Sequence, residues 1–205
     1  MGWYEDRVFP HLLDWATKPL QRQREEILAS AEGRVLELGI GTGANLAFYT
    51  QTAQEIHGIE PAAALLDIAR ERAAALPNPG RFRFDVAGAE ALPYPDQHFD
   101  TVIACLVFCT IPDTHAASHE LWRVMKPGGR LLLLEHVASR KPTVHRTQRL
   151  LNPAWRKLAC GCQLTRDTGS LLARAGFDMR GVSHWRHPKV PAFAAELISG
   201  VAIRP

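Results

Sequence analysis

The chain has 205 residues, 46% of them hydrophobic, and 24 Lys and Arg stand against 21 Asp and Glu. That length can bury one substantial α/β core, with residues 1–205 as a single domain and no space for a second. The longest apolar runs, around residues 104–109 and 131–134, fall far short of the roughly 20 residues that span a bilayer, so no transmembrane segment is expected.

The opening residues, Met-Gly-Trp-Tyr-Glu-Asp, lack the basic lead and apolar stretch of a secretory signal. From residue 3 to 31, Trp3, Val8, Leu12, Leu13, Trp15, Leu20, Ile27 and Leu28 alternate with charges. This pattern predicts an amphipathic helix that Pro10 and Pro19 divide into short pieces. Residues 35–46 then form an apolar run that breaks into glycines at alternate positions before helix-forming residues resume. The run reads as a buried strand turning sharply into a helix near residues 44–50. Gly39, Gly41 and Gly43 let the backbone take positive φ and approach a ligand closely, while the N–H groups of the following helix would point at it.

A second strand over 55–59 ends in Glu60-Pro61. A carboxylate at that end offers two oxygens to the two ribose hydroxyls of an adenosine ligand. Pro61 starts an Ala- and Leu-rich helix over 62–76, closed by Pro77-Asn78-Pro79-Gly80. Phe82, Phe84 and Val86 alternate with polar residues in a third strand, and residues 99–105 form a fourth whose ligand-facing end carries Cys105 to Cys109. A helix over 114–125 and the tight turn Lys126-Pro127-Gly128-Gly129 lead into a fifth strand, 130–135, followed by His136. Cys105, Cys109, Cys160 and Cys162 match no zinc-knuckle or disulfide spacing, so reduced thiols in a cytoplasm, without a bound metal, are expected.

Gly39, Gly41 and Ala44 also satisfy the dinucleotide fingerprint G-x-G-x-x-G/A. Glu37, however, would lie close to the phosphates of a dinucleotide, whereas S-adenosylmethionine has no phosphate and carries an ammonium group. The pattern E-x-G-x-G-x-G at 37–43 resembles the first motif of class I S-adenosylmethionine-dependent methyltransferases. Residues 88–96 resemble the family's G-D-A-x-x-L-P-x-x-D segment, and R-V-M-K-P-G-G-R-L-L-L-L-E-H at 123–136 resembles a further signature. The resemblance covers about residues 34–137. It implies a Rossmann-like seven-stranded, mostly parallel sheet with helices on both faces and S-adenosyl-L-methionine bound beyond the strand carboxyl ends. Cofactor contacts are then expected from Glu37, Gly39, Gly41, Gly43, Asn45, Glu60, Pro61, Gly88, Ala89, Glu90, Cys105 and Leu106. Gly88 stands where the family commonly has an aspartate for the adenine amino group, which leaves that contact to backbone, Glu90 or water. Residues 1–32 are expected to form a helical lid, with Tyr4 and Arg24 toward the methionine carboxylate, over a cofactor-binding core at 33–137.

Residues 138–205 are expected on the substrate side. Between Arg140 and Lys189, eleven Lys and Arg face only Asp167 and Asp178, a surplus of nine, while the rest of the chain carries minus six. Such a patch attracts an anionic substrate, a phospholipid surface or nucleic acid, or is a solvated face. Leu151-Asn152-Pro153-Ala154-Trp155, residues 161–167 and Ala175-Gly176-Phe177, with Glu135-His136-Val137 and Cys109, resemble the methyltransferase-like seven family, whose mammalian members methylate small alkyl thiols. This chain departs at Asn152 and Cys160, where that family tends to have aspartates, and is read as lacking its N-terminal membrane anchor. The resemblance implies a small thiol as methyl acceptor. His136, at the carboxyl end of the fifth strand, is the candidate catalytic group, either taking the acceptor proton or as a cation favouring a thiolate, against the reading of a histidine that only hydrogen-bonds at the strand end, and His145, Asn152 and Cys162 are candidates for lining the same pocket. A phospholipid or small-amine N-methyltransferase and a non-catalytic cofactor-binding protein are the alternatives. Nucleic acid is not an expected partner, because the chain has no N/D-P-P-Y segment or added recognition domain.

Overall fold

A computed structural model describes residues 17–205. Tyr4 and the first half of the proposed lid lie outside the described residues.

A 3₁₀ turn, Lys18–Leu20, runs into α1 (Gln21–Leu28). Then follow β1 (Gly33–Leu38), β2 (Ala53–Ile59), α2 (Ala63–Ala74), β3 (Phe82–Asp85), β4 (Phe99–Cys105), α3 (Thr114–Val124), β5 (Met125–His136), α4 (Pro142–Leu158), α5 (Thr168–Arg174), β6 (Asp178–Arg186) and β7 (Glu196–Ile203). The strands form one seven-stranded sheet in the order β3-β2-β1-β4-β5-β7-β6. β7 runs antiparallel to both its neighbours, β5 and β6, and the other pairings are parallel. This is the expected mostly parallel α/β sheet, and its strand order reverses between β1 and β4, where open sheets of this kind bind ligands beyond their carboxyl ends.

The central strands read as unbroken apolar runs because both faces are covered. Leu36, Leu38, Val102, Ala104, Leu131 and Leu133 pack on one face with Leu121 and Val124 of α3 and Leu172 of α5. Val35, Ile56, Ile103 and Leu132, one residue out of phase, pack on the other with Leu28 of α1 and Leu66 and Ala69 of α2. A one-residue shift of any central strand would exchange its two sets of contacts. Each strand end is therefore held in a defined place over the site.

Three elements differ from expectation. The helix after the glycine turn is a single 3₁₀ turn, Leu46–Phe48. Gly43, Leu46 and Phe48 each donate to the carbonyl three residues back, and Tyr49 is then extended, with its hydroxyl bonded to Glu37. The sheet claims Tyr49 before a second helical turn can form. β3 stops at Asp85, leaving Val86 outside it and 58% exposed. β5 begins at Met125, so the turn at 126–129 is an irregularity within a long strand, with Phe99 opposite Met125 and Thr101 opposite Arg130. Among the described residues no helix is long and apolar enough to cross a membrane.

Candidate active site

Gly39, Gly41 and Gly43 have φ of 57°, 55° and 78°. A Cβ at Gly39 would strike the Val107 side chain, whereas one at Gly41 would meet nothing closer than the Gly39 carbonyl oxygen at 3.9 Å. Gly39 is thus demanded by packing, and Gly41 faces open space. Glu37 is fully buried beneath the turn, where Asn45 Nδ2 and the Tyr49 hydroxyl each donate to it at 2.6 Å. Burial pushes its carboxyl up to about 7, against the pull of those two hydrogen bonds. Glu37 ties the strand end to the following turn and does not face outward. Asn45 Oδ1 is left buried without a partner among the described residues.

Beside Ala44 and Phe48 lies a cavity of about 160 Å³ that Thr17, Lys18, Gln21 and Arg24 also line. Arg24 Nη2 donates to Thr17 Oγ1 at 2.9 Å, and its Nε is buried without a partner among the described residues. At the end of β2, Glu60 accepts the Ala62 N–H at 3.1 Å and bonds the Gly41 backbone, and burial raises its pKa. Its carboxylate therefore sits at the glycine turn, while Pro61 is exposed. An added Cβ at Gly88 would lie 2.8 Å from Glu90 Oε2. The Glu90 carboxylate occupies the space an aspartate at 88 would fill, beside buried Ala89 and exposed Val86.

Past β4, Cys105 lies under Asn45 and Glu37, and burial pushes its thiol up to about 12. Leu106 takes a φ of 58°, a left-handed conformation that costs a non-glycine residue about 1–3 kcal/mol. The turn it makes brings the N–H groups of Val107 and Phe108 onto Glu135 Oε1 at 2.8 and 3.0 Å. Burial moves the Glu135 carboxyl up to about 7.

At the end of β5, His136 Nε2 lies 3.0 Å from Cys162 Sγ, and Trp155 Nε1 donates to the same sulfur at 3.2 Å. Cys109 completes the group, with its sulfur, the imidazole nitrogen and the Cys162 sulfur all within 4.8 Å of one another. Hydrogen bonds from Cys109 and then His136 outweigh burial and hold Cys162 well below the ordinary thiol range, while Cys109 stands well above it. Burial lowers the His136 pKa, but the hydrogen bond and charge of Cys162 more than reverse this, so the ring is biased toward the cation.

The fold brings His136 and Cys162 together as expected but treats the other two pocket candidates differently. Asn152 Oδ1 accepts the Leu164 N–H at 2.8 Å and so pins the loop carrying Cys162. His145, half-exposed on α4, does not belong to the cluster. Cys109 and Trp155 were not among the expected site residues. The signal for Cys109 was topological: strands β4 and β5 are neighbours, so residues just past their ends meet.

The family profile described as "Methyltransferase domain" matches residues 36–133. Thiol S-methyltransferase TMT1A of Homo sapiens is 32% identical over 83% of this chain and 70% of its own length. Ubiquinone/menaquinone biosynthesis C-methyltransferase UbiE of Geobacter sulfurreducens is 34% identical, over 52% of this chain and 43% of its own. Among solved structures, a geranyl diphosphate methyltransferase in complex with S-adenosylmethionine aligns with a TM-score of 0.71 at 15% identity, over 90% of this chain and 85% of that one. A putative methyltransferase from Bacillus halodurans C-125 gives 0.72 at 16% identity, over 90% and 98%. With a relative at this identity over more than two thirds of both chains, and this strand order beneath the glycine turn, the chain belongs to the class I S-adenosylmethionine-dependent methyltransferases, with S-adenosyl-L-methionine as its cofactor.

Proposed function

We propose that this methyltransferase methylates a small thiol. The observation that carries the reading is the buried Cys109–His136–Cys162 cluster at the carboxyl ends of β4 and β5, a sulfur-stabilising environment one strand away from the glycine turn. The similarity to a thiol S-methyltransferase over most of the chain supports it.

The cofactor site has the unmet polar groups a charged amino-acid ligand requires. Arg24 Nε would take a carboxylate, and Asn45 Oδ1, held in place by Glu37, would accept from an ammonium group. Glu60 would hold the ribose hydroxyls. Val86, Ala89 and the Glu90 carboxylate would flank the adenine ring. When bound, S-adenosyl-L-methionine supplies a sulfonium methyl group open to in-line attack. Such a transfer needs little acid catalysis, so the protein's task is to align the acceptor and keep it deprotonated. His136 serves this by charge: with Nε2 already engaged by Cys162, its cationic ring favours an anionic sulfur beside it and does not itself stand open as a proton acceptor.

The test is acceptor-stimulated release of S-adenosylhomocysteine. Small alkyl and aryl thiols should raise the rate well above the rate without acceptor, whereas amines should not. Stimulation confined to phosphatidylethanolamine vesicles would overturn the thiol reading in favour of lipid N-methylation.

One observation does favour a lipid surface as a place of action. On α4, Leu150 is 81% and Leu158 63% exposed, beside Arg146, Arg149, Arg156 and Lys157. An apolar strip with a basic flank suits peripheral contact with an anionic bilayer. We expect cosedimentation with phosphatidylserine vesicles that weakens with salt and is lost in a Leu150→Glu, Leu158→Glu double variant. Equal sedimentation of that variant would place any lipid contact elsewhere.

A further inference from the structure

We propose that Cys109, His136 and Cys162 form a binding site for a single Zn²⁺ ion. The three residues come from separate elements: the turn after β4, the last position of β5, and the loop after α4. Each is held by backbone contacts of its own segment, and the Cys109 and Cys162 segments are also bonded to each other. Glu135 fixes the Cys109 turn through the Val107 and Phe108 N–H groups, and the β5–β7 ladder fixes His136 opposite Leu197. The Cys162 loop is closed by Cys162 N–H on the Ala159 carbonyl, Gln163 N–H on the Cys109 carbonyl and Leu164 N–H on Asn152. A rigid frame thus points two sulfurs and one imidazole nitrogen at a common centre.

The donor set and spacing suit the ion. Two thiolates and an imidazole select a soft or borderline cation and disfavour Mg²⁺ and Ca²⁺, which take oxygen ligands. Zn–S and Zn–N bonds of about 2.3 and 2.0 Å put ligand atoms roughly 3.5–3.8 Å apart around a tetrahedral centre. The cluster's donor atoms lie within 4.8 Å of one another, with His136 Nε2 and Cys162 Sγ 3.0 Å apart. Small side-chain adjustments reach the coordinated geometry.

Burial supplies an independent argument. The three residues are only 3%, 9% and 8% exposed, and each carries an ionisable group. Burying three ionisable groups together is costly unless something compensates their charge. Binding of Zn²⁺ would displace the protons of His136 Nε2 and the thiols, leaving two thiolates and a neutral imidazole in a site of zero net charge, and would pass the role of the His136 cation to the metal. The Trp155 N–H on Cys162 Sγ is the outer hydrogen bond a metal thiolate accepts.

Three protein ligands leave a fourth position, as in catalytic zinc sites. A thiol entering there would lose its proton on coordination. This extension rests on the thiol reading above, whereas the binding of the ion does not.

The experiment uses the full chain purified without chelator, with metal content measured by mass spectrometry and Co²⁺ then exchanged into the site. The expected result is one Zn²⁺ per chain and a thiolate-to-cobalt charge-transfer band. Cys109→Ser and Cys162→Ser should each lower Co²⁺ affinity by more than the 10–100-fold that outer contacts command. Calorimetric binding of S-adenosylmethionine by each variant checks that it is folded. A wild-type chain that retains no ion and gives no charge-transfer band would overturn the proposal, as would a band that survives in both serine variants. A small alkyl thiol added to the cobalt form should shift the band. A band present but unmoved upholds the metal site and overturns the fourth-position extension, without reference to methyl transfer.

Discussion

Glu60→Ala is expected to weaken S-adenosylmethionine binding by tenfold or more and to leave the fold standing. The carboxylate lies at the end of β2 against the glycine turn, bonded to the backbone of Ala62 and Gly41, and burial has raised its pKa. A hydrogen bond to a charged group contributes roughly 1.5–3 kcal/mol, and tenfold in affinity is about 1.4 kcal/mol. The loss of one such bond to the ribose is therefore enough. Glu60→Gln keeps one accepting oxygen and should fall between wild type and alanine. Calorimetry reads both, and an unchanged affinity in the alanine variant would place the ribose elsewhere.

Glu37→Gln is expected to stabilise the cofactor-free protein above neutral pH while weakening cofactor binding. Burial raises the carboxyl from 4.5 to about 7. A group whose folded pKa is raised contributes stability in full below the unfolded value and loses it as pH climbs through the folded one. The loss here falls between about pH 4.5 and 7, and a shift of that size is worth roughly 3 kcal/mol. Glutamine keeps one acceptor, and its new N–H group can be met by Asn45 Oδ1, which has no partner among the described residues. Thermal unfolding at pH 5 and pH 8 is the measurement: the variant should lead at pH 8 and lose that lead at pH 5. The same rearrangement turns Asn45 away from the cofactor, so affinity should drop. Equal stability at both pH values would mean that Glu37 is not carrying a buried charge.

The glycine turn was legible in the sequence because its steric demands leave little choice of residue. Three positive φ angles within five residues call for glycine. The central strands were legible because burial on both faces removes polar residues from them. The 3₁₀ turn at Leu46–Phe48 was not, because what ends it is the bond from Tyr49 to Glu37, a contact that exists only once the strand is buried. α4 went unread because Pro153 lies inside it, and Asn152 was taken as a pocket residue when it holds the Cys162 loop. The cysteines matched no spacing rule for the same kind of reason. Their meeting point is set by the adjacency of β4 and β5 and by the loop after α4, not by distance along the chain.

The atom that receives the methyl group tests the account most directly. Purified enzyme would be given S-adenosylmethionine bearing a trideuteromethyl group, with an excess of a small alkyl thiol, and the products identified by mass spectrometry. The expected result is the trideuteromethyl sulfide of that thiol in equimolar amount with S-adenosylhomocysteine, with formation strongly reduced in Glu60→Ala at limiting cofactor. Label on nitrogen or carbon of another acceptor, with no sulfide from any thiol offered, would contradict it.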